Sequence, residues 1–321
     1  MGAVATALGT MAAIGVAGWL IGRYRWLGAG AETVLARTVF AVATPALLLV
    51  TIARADLHLL ASRTALTIAI STLVVAGVAL AVARGLWHLA AGEATVVTLA
   101  SSYVNAGNLG LPLAVYLLGD ATAVVPTLLF QLLVLAPIAF VVLDSRRPGA
   151  DDRADDAAVG VGAVHTGARG VLGRTLRNPI IIATLTGLVL SGLPWEVPDV
   201  VLEPFRLVGA AAAPLALLTF GMSLAVPRPA GGRPGGRREL VLAVSLRSVV
   251  HPLLAAGVGR LLGLEGPELL AVVTMAALPT AQNVLVYALQ YGRGQAVARD
   301  AGLVTTLLAV PVMLAVAATL A

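Results

Sequence analysis

The sequence predicts an all-α polytopic membrane protein of ten transmembrane helices, arranged as two inverted five-helix repeats. Three observations carry this reading. Of 321 residues, 59% are hydrophobic and 12% charged. An ordinary soluble domain has about 25% charged residues, so too little polar surface remains to cover a water-exposed fold. Apolar stretches recur in two sets of five on either side of a charged interval, and arginines alternate between successive loops. At about 20 residues per span, ten spans leave roughly 120 residues for loops, whereas fourteen do not fit.

The first apolar run, residues 4–21, has Arg23 and Arg25 after it and no basic residue before it. A cleaved signal peptide has the opposite order, so this run is the first span. Stretches at 31–53, 64–83, 94–118 and 121–143 complete a first repeat over residues 1–143. Residues 144–177 mix Asp151, Asp152, Asp155 and Asp156 with six arginines, glycines and a proline, the composition of a solvated linker. Spans at 178–193, 201–226, 240–262, 268–290 and 298–320 make up a second repeat over residues 178–321.

Cytoplasmic loops are enriched in Lys and Arg. Loops after the odd-numbered spans hold fifteen arginines, against three in the loops opposite. The linker is therefore expected on the cytoplasmic side of the cytoplasmic membrane and both termini outside it. Five spans per half also invert the second half, the organisation of inverted-repeat transporters. Residues 114–119 (AVYLLG) echo 286–292 (VYALQYG) at an offset of 173, and Leu135-Ala136-Pro137 matches Ala309-Val310-Pro311 at nearly the same offset. Pro45-Ala46-Leu47-Leu48 likewise echoes Pro214-Leu215-Ala216-Leu217-Leu218.

The fourth span packs Asn105, Gly107, Asn108, Gly110 and Pro112 into eight residues. Proline removes a backbone donor and clashes with the preceding turn, and glycine lowers the cost of leaving helical geometry. Broken backbone at membrane depth has to line a cavity. The ninth span repeats the pattern with Pro279, Thr280, Gln282 and Asn283. Where two interrupted helices cross, half-helix N-termini aim partial positive charge at the crossing. Asn105, Asn108, Gln282 and Asn283 then orient a carboxylate through amide N–H donors, with Gly107, Gly110 and Thr280 on the same stretches as further substrate-binding candidates. Pro112 and Pro279 mark the helix crossover. The competing reading is that prolines only kink packed spans while Asn and Gln hold helices together. It accounts for Pro45, Pro126, Pro137, Pro214 and Pro311.

Other features bound the chemistry. With no cysteine and four scattered histidines, no metal site and no cofactor is expected. The basic residues are all arginine, which carries no nucleic-acid inference. HExxH, Gly-x-Ser-x-Gly and paired intramembrane aspartates are absent, which argues against an intramembrane enzyme. No acidic residue lies mid-span, against a carboxylate proton relay. Arg247, one turn before His251, reads as snorkelling to the cytoplasmic interface, and Gln131 is left unassigned. Gly18 with Gly22, and Gly259 with Gly263, have the small-xxx-small spacing that would suit a homodimer contact in the lipid bilayer.

Asn105-x4-Gly110-x-Pro112 and Pro279-Thr280-Ala281-x-Asn283-x4-Ala288-x2-Tyr291-Gly292, with Arg177-Asn178-Pro179 and Pro214-Leu215-Ala216-Leu217, resemble the motifs of the auxin efflux carrier family over essentially the whole chain. The resemblance implies a scaffold part and a transport part that alternate between outward and inward states and carry small organic anions such as auxins and dicarboxylates, in the efflux direction. Asn105, Gly110 and Pro112 are carried over as substrate-site and crossover positions, opposite Pro279 and Asn283. Val284 departs from the plant pattern, which tends to have a second proline there. The alternative within this architecture is a sodium-coupled symporter of the bile-acid-carrier type.

Overall fold

A computed structural model describes residues 2–54, 61–110, 114, 118, 121–145, 177–193, 195, 197–225 and 236–320. Among them the regular structure is helical. The helices are α1 (Gly2–Tyr24), α2 (Ala31–Ala53), α3 (Arg63–Leu86), α4 (Ala91–Ser102), α5 (Val125–Asp144) and α6 (Pro179–Ser191). They continue with α7 (Asp199–Ala225), α8 (Gly236–Leu261), α9 (Gly266–Ala276), α10 (Gln282–Tyr291) and α11 (Gln295–Leu320). Six of them, α2, α3, α5, α7, α8 and α11, are long and apolar enough to cross a bilayer. The predicted fourth and ninth spans are not single helices: α4 stops at Ser102, and α9 and α10 divide the ninth. Most of the predicted linker, 146–176, and Pro112 lie outside the described residues.

Three prolines inside the long helices share one mark, whereas Pro204 and Pro311 sit in regular α-helix without it. Proline offers no N–H and its ring clashes with the carbonyl four residues back. Ahead of Pro45, Pro137 and Pro252 the helix widens into a π-turn, at Val39–Ala43, Gln131–Leu135 and Leu246–Val250. In each case the residue before the proline reaches back five positions: Thr44 N–H to Val39 O, Ala136 N–H to Gln131 O and His251 N–H to Leu246 O. The extra residue relieves the clash while the backbone stays bonded. Pro45 and Pro137 therefore stand in helices that continue past them.

The helices pack in two sets. α1 lies along the second half of α7, and α2 packs against α6 and the first half of α7. The second set joins α3 to α4, α8 and α9, and α11 to α8, α9 and α10. The first set depends on small residues. A Cβ at Gly18 would strike the Leu218 backbone, one at Gly22 would sit 3.0 Å from Met222 Cα, and one at Gly221 would strike Gly15. The Gly18/Gly22 spacing, read from sequence as a homodimer face, is thus filled by the chain's own α7. Gly259 is likewise taken up, by Leu269, and Gly263 at φ +75° belongs to the turn after α8.

Large apolar side chains such as Leu207, Leu253, Leu261 and Leu307 are exposed on helix surfaces while Ser71, Thr219, Arg247 and Thr280 are fully buried. That distribution suits a multi-pass membrane protein, whose outer solvent is hydrocarbon. Several buried hydroxyls bond back within their own helices, as Ser101 does to Val97 O at 2.8 Å and Thr184 to Ile180 O at 2.8 Å. Phe40, Phe140 and Tyr287 form an edge-to-face cluster, with Phe140 and Tyr287 centroids 4.9 Å apart. At one end of the bundle Asp144, closing α5, accepts from the Tyr291 hydroxyl at 2.8 Å and from Asn178 Nδ2 at 3.3 Å. Asn178 also caps α6 through its Oδ1 to Ile180 N–H at 3.0 Å.

Candidate functional site

The two interruptions meet. α4 makes its last turn with Tyr103 N–H on Leu99 O, and Tyr103 then turns extended (φ −89°, ψ 108°). In the other half Pro279 cannot donate to a helix and disfavours helical geometry at Leu278. α9 accordingly ends at Ala276, and α10 starts after an extended Ala281 (φ −69°, ψ 143°). Tyr103-Val104-Asn105 and Pro279-Thr280-Ala281 pair antiparallel, with Val104 opposite Thr280. Asn105 N–H donates to Pro279 O at 2.8 Å, and Ala281 N–H donates to Tyr103 O at 3.1 Å.

Each break strands a donor and an acceptor, and each is given a partner. Val104 N–H, turned away from Ala100 O, donates to Gln131 Oε1 on α5. Thr280 N–H, turned away from Ala276 O, donates to Thr305 Oγ1 on α11 at 3.0 Å. The freed Ala100 carbonyl accepts from the Thr280 hydroxyl at 2.7 Å, and the freed Ala276 carbonyl accepts from Arg247 Nη2 at 2.6 Å. A buried peptide group left unpaired would cost about 1–3 kcal/mol.

Beside the pairing lies a cavity of about 570 Å³, walled on one side by the broken stretches and α5 and on the other by α2 and α7. Asn105, Gly107, Gln282 and Asn283 line it, so the structure brings these four candidates together. A Cβ at Gly107 would meet nothing within 4 Å. Asn105 is 3% exposed, and its Nδ2 has no acceptor among the described residues. The α10 N-terminus opens on the same space with no side chain capping it. No charged side chain lines the cavity among the described residues.

Thr280 and Gly110 lie off this wall. The Thr280 hydroxyl is spent on Ala100, and Thr280 is not part of the cavity wall. Gly110 is a packing position: a Cβ there would come within 2.9 Å of Val124 Cγ2 and 3.1 Å of Leu278 Cδ1. The backbone of Asn108 lies in the π-turn Ala106–Gly110, but its side chain is not described. Pro279 stands at the break, and Pro112 falls outside the described residues.

Sequence reasoning assigned no role to contributors from α5, α2 and α7. Gln131 both lines the cavity and holds Val104. Thr44 and Thr51, flanking the Pro45 echo, face the cavity from α2, as Gly209, Ala210, Ala212 and Ala213 do from α7 just before Pro214. The repeated proline segments were the available signal. Arg247 does not snorkel; it is fully buried, bonded to His251 Nδ1 and the Ala276 carbonyl. The π-turn at Leu246–Val250 occurs within α8 where Arg247 enters the core.

A family model described as membrane transport protein matches residues 4–316. A protein of Rhizobium meliloti (strain 1021) named for malonate transport is 33% identical over 219 residues, covering 68% of this chain and 64% of that one. Auxin efflux carrier component 6 of Arabidopsis thaliana is 32% identical over 127 residues, covering 38% of this chain and 22% of that one. The chain thus spans less than two thirds of the length of either relative. Its matched length, its broken and paired helices and its composition agree: this chain belongs to the membrane transport protein family that includes the auxin efflux carriers.

Proposed function

We propose that this protein is a secondary carrier that moves a small organic anion, an auxin-like carboxylate or a dicarboxylate, outward across the cytoplasmic membrane by alternating access. In this reading ten spans form two inverted repeats, 1–143 and 178–321, joined by a cytoplasmic linker, with both termini outside. The breaks support the repeat: Gln131 and Thr305, which take the stranded N–H groups, are 174 residues apart, the offset between Pro137 and Pro311. α1, α2, α6 and α7 act as scaffold, and the remaining helices move as the transport part, with the cavity at the boundary.

One observation carries the proposal: a buried Asn105 amide donor, without an acceptor among the described residues, faces a cavity that also receives the uncapped N-terminus of α10. A helix N-terminus carries roughly half a positive charge and free N–H groups. An amide donor beside it suits a carboxylate oxygen, and Gln282 and Asn283 add side-chain donors. The relative named for malonate transport supports a dicarboxylate. Counterflow of radiolabelled malonate, malate and indole-3-acetate in proteoliposomes, with and without sodium, tests the reading. Exchange lost in Asn105→Ala supports it, and failure of all three solutes to exchange would sink the substrate class. Sodium-dependent exchange would replace the carrier by a symporter.

A further inference from the structure

The two carbonyls freed by the helix breaks are equivalent in position, Ala100 four residues before Val104 and Ala276 four before Thr280, yet they are satisfied by different chemistry. Ala100 O receives the neutral Thr280 hydroxyl and Ala276 O receives the Arg247 guanidinium. Arg247 is 0% exposed, no carboxylate pairs with it among the described residues, and its Nε and Nη1 have no acceptor there. His251, its other contact, places Nε2 3.2 Å from the Thr72 hydroxyl, and no acidic group among the described residues joins the cluster. Arginine at membrane depth without a counter-charge is expensive and is kept where a function uses it.

The position of that charge indicates its use. Ala276 closes α9, whose carbonyl end carries partial negative charge toward the crossing. A guanidinium on that carbonyl offsets the negative end, while the positive N-terminus of α10 stays open to the cavity. A small pocket at Ser71, Thr72, His251 and Ala276 adjoins the larger cavity through Val104 and Gln131, which line both. We infer that Arg247 is a positioning residue that sets the sign of the solute: by neutralising the carbonyl end of α9 it makes the helix crossing selective for anions and favours dianions over monoanions. The inference rests on the anion reading of the cavity.

A fixed charge acts on a dianion about twice as strongly as on a monoanion. Binding of malonate and of its monoamide, malonamate, is measured at pH 8 on the full chain in nanodiscs, for wild type, Arg247→Gln, Arg247→Met and Arg247→Lys. If the neutral variants weaken malonamate about tenfold, about 1.4 kcal/mol, they weaken malonate about a hundredfold. The malonate to malonamate affinity ratio therefore falls about tenfold, and Arg247→Lys keeps the wild-type ratio. A purely structural arginine would lower thermal stability and weaken both ligands alike, leaving the ratio unchanged in folded Arg247→Gln, and that result overturns the inference alone. Wild type that binds neither carboxylate overturns the anion reading and this inference with it. Should both neutral variants fail to fold, Arg247→Lys decides when read from about pH 7 to pH 10: a malonate to malonamate ratio that falls as the buried lysine loses its proton, with the wild-type ratio constant, supports the inference, and a ratio that stays constant in Arg247→Lys ends it.

Discussion

Asn105 divides its groups between two tasks. Its N–H goes to Pro279 O and its C=O accepts from Leu109 and Gly110, so the backbone builds the crossing while the Nδ2 donor has no acceptor among the described residues. Asn105→Ala should therefore leave the folded yield nearly unchanged and abolish malonate exchange, read as counterflow beside size-exclusion profiles. Gln131 does the opposite, giving its Oε1 to Val104 N–H. Gln131→Leu strands that donor and should destabilise the protein by about 1–3 kcal/mol, measured as a lower melting temperature, with Thr305→Val costing a similar amount. These residues differ in how legible they are. Asn105 stands out because amides, glycines and a proline crowd one span. Gln131 is a single polar residue in an apolar run, and only the three-dimensional break supplies its partner. Arg247 misled for a related reason: its distance from the start of the span is visible in sequence, but the face it occupies is set by helix packing.

At the level of the helix, prolines within apolar runs have different outcomes that composition alone does not separate. Those at 45, 137 and 252 sit just past π-turns that keep the helix continuous, whereas Pro279 sits where the chain turns extended. The difference lies in what surrounds them. The pairing with residues 103–105 gives the chain around Pro279 an alternative set of backbone bonds, which an isolated proline in a packed helix lacks. Pro45→Ala should keep transport within about twofold of wild type, since the π-turn can relax to a regular helix. Pro279→Ala restores an N–H and frees Leu278 to become helical, so α9 should extend at the expense of the crossing. Exchange should fall more than tenfold in that variant, and retention of wild-type rates would show that the break does not depend on the proline.

For the molecule as a whole, the all-helical membrane character was legible because bilayer thickness fixes the length of an apolar span, and six of the helices among the described residues meet that length. The partition into two packed sets was not legible, because it unites helices distant in sequence, such as α2 with α6 and α7. Glycine spacing pointed outward in sequence and inward in the structure, since the same close approach serves one chain or two. Gly18→Val should force α1 away from Leu218 and lower stability by about 1–3 kcal/mol without changing the oligomeric state measured by light scattering.

The Asp144, Asn178 and Tyr291 cluster bears on a different kind of experiment. It fastens the last turn of α5 to the first turn of α6, so the chain leaves and re-enters the bundle at almost one point. A segment whose ends are already held together adds little further closure entropy whatever its length. The polypeptide can accordingly be opened between residues 146 and 176, and the two fragments, expressed together, should reassemble into a working carrier.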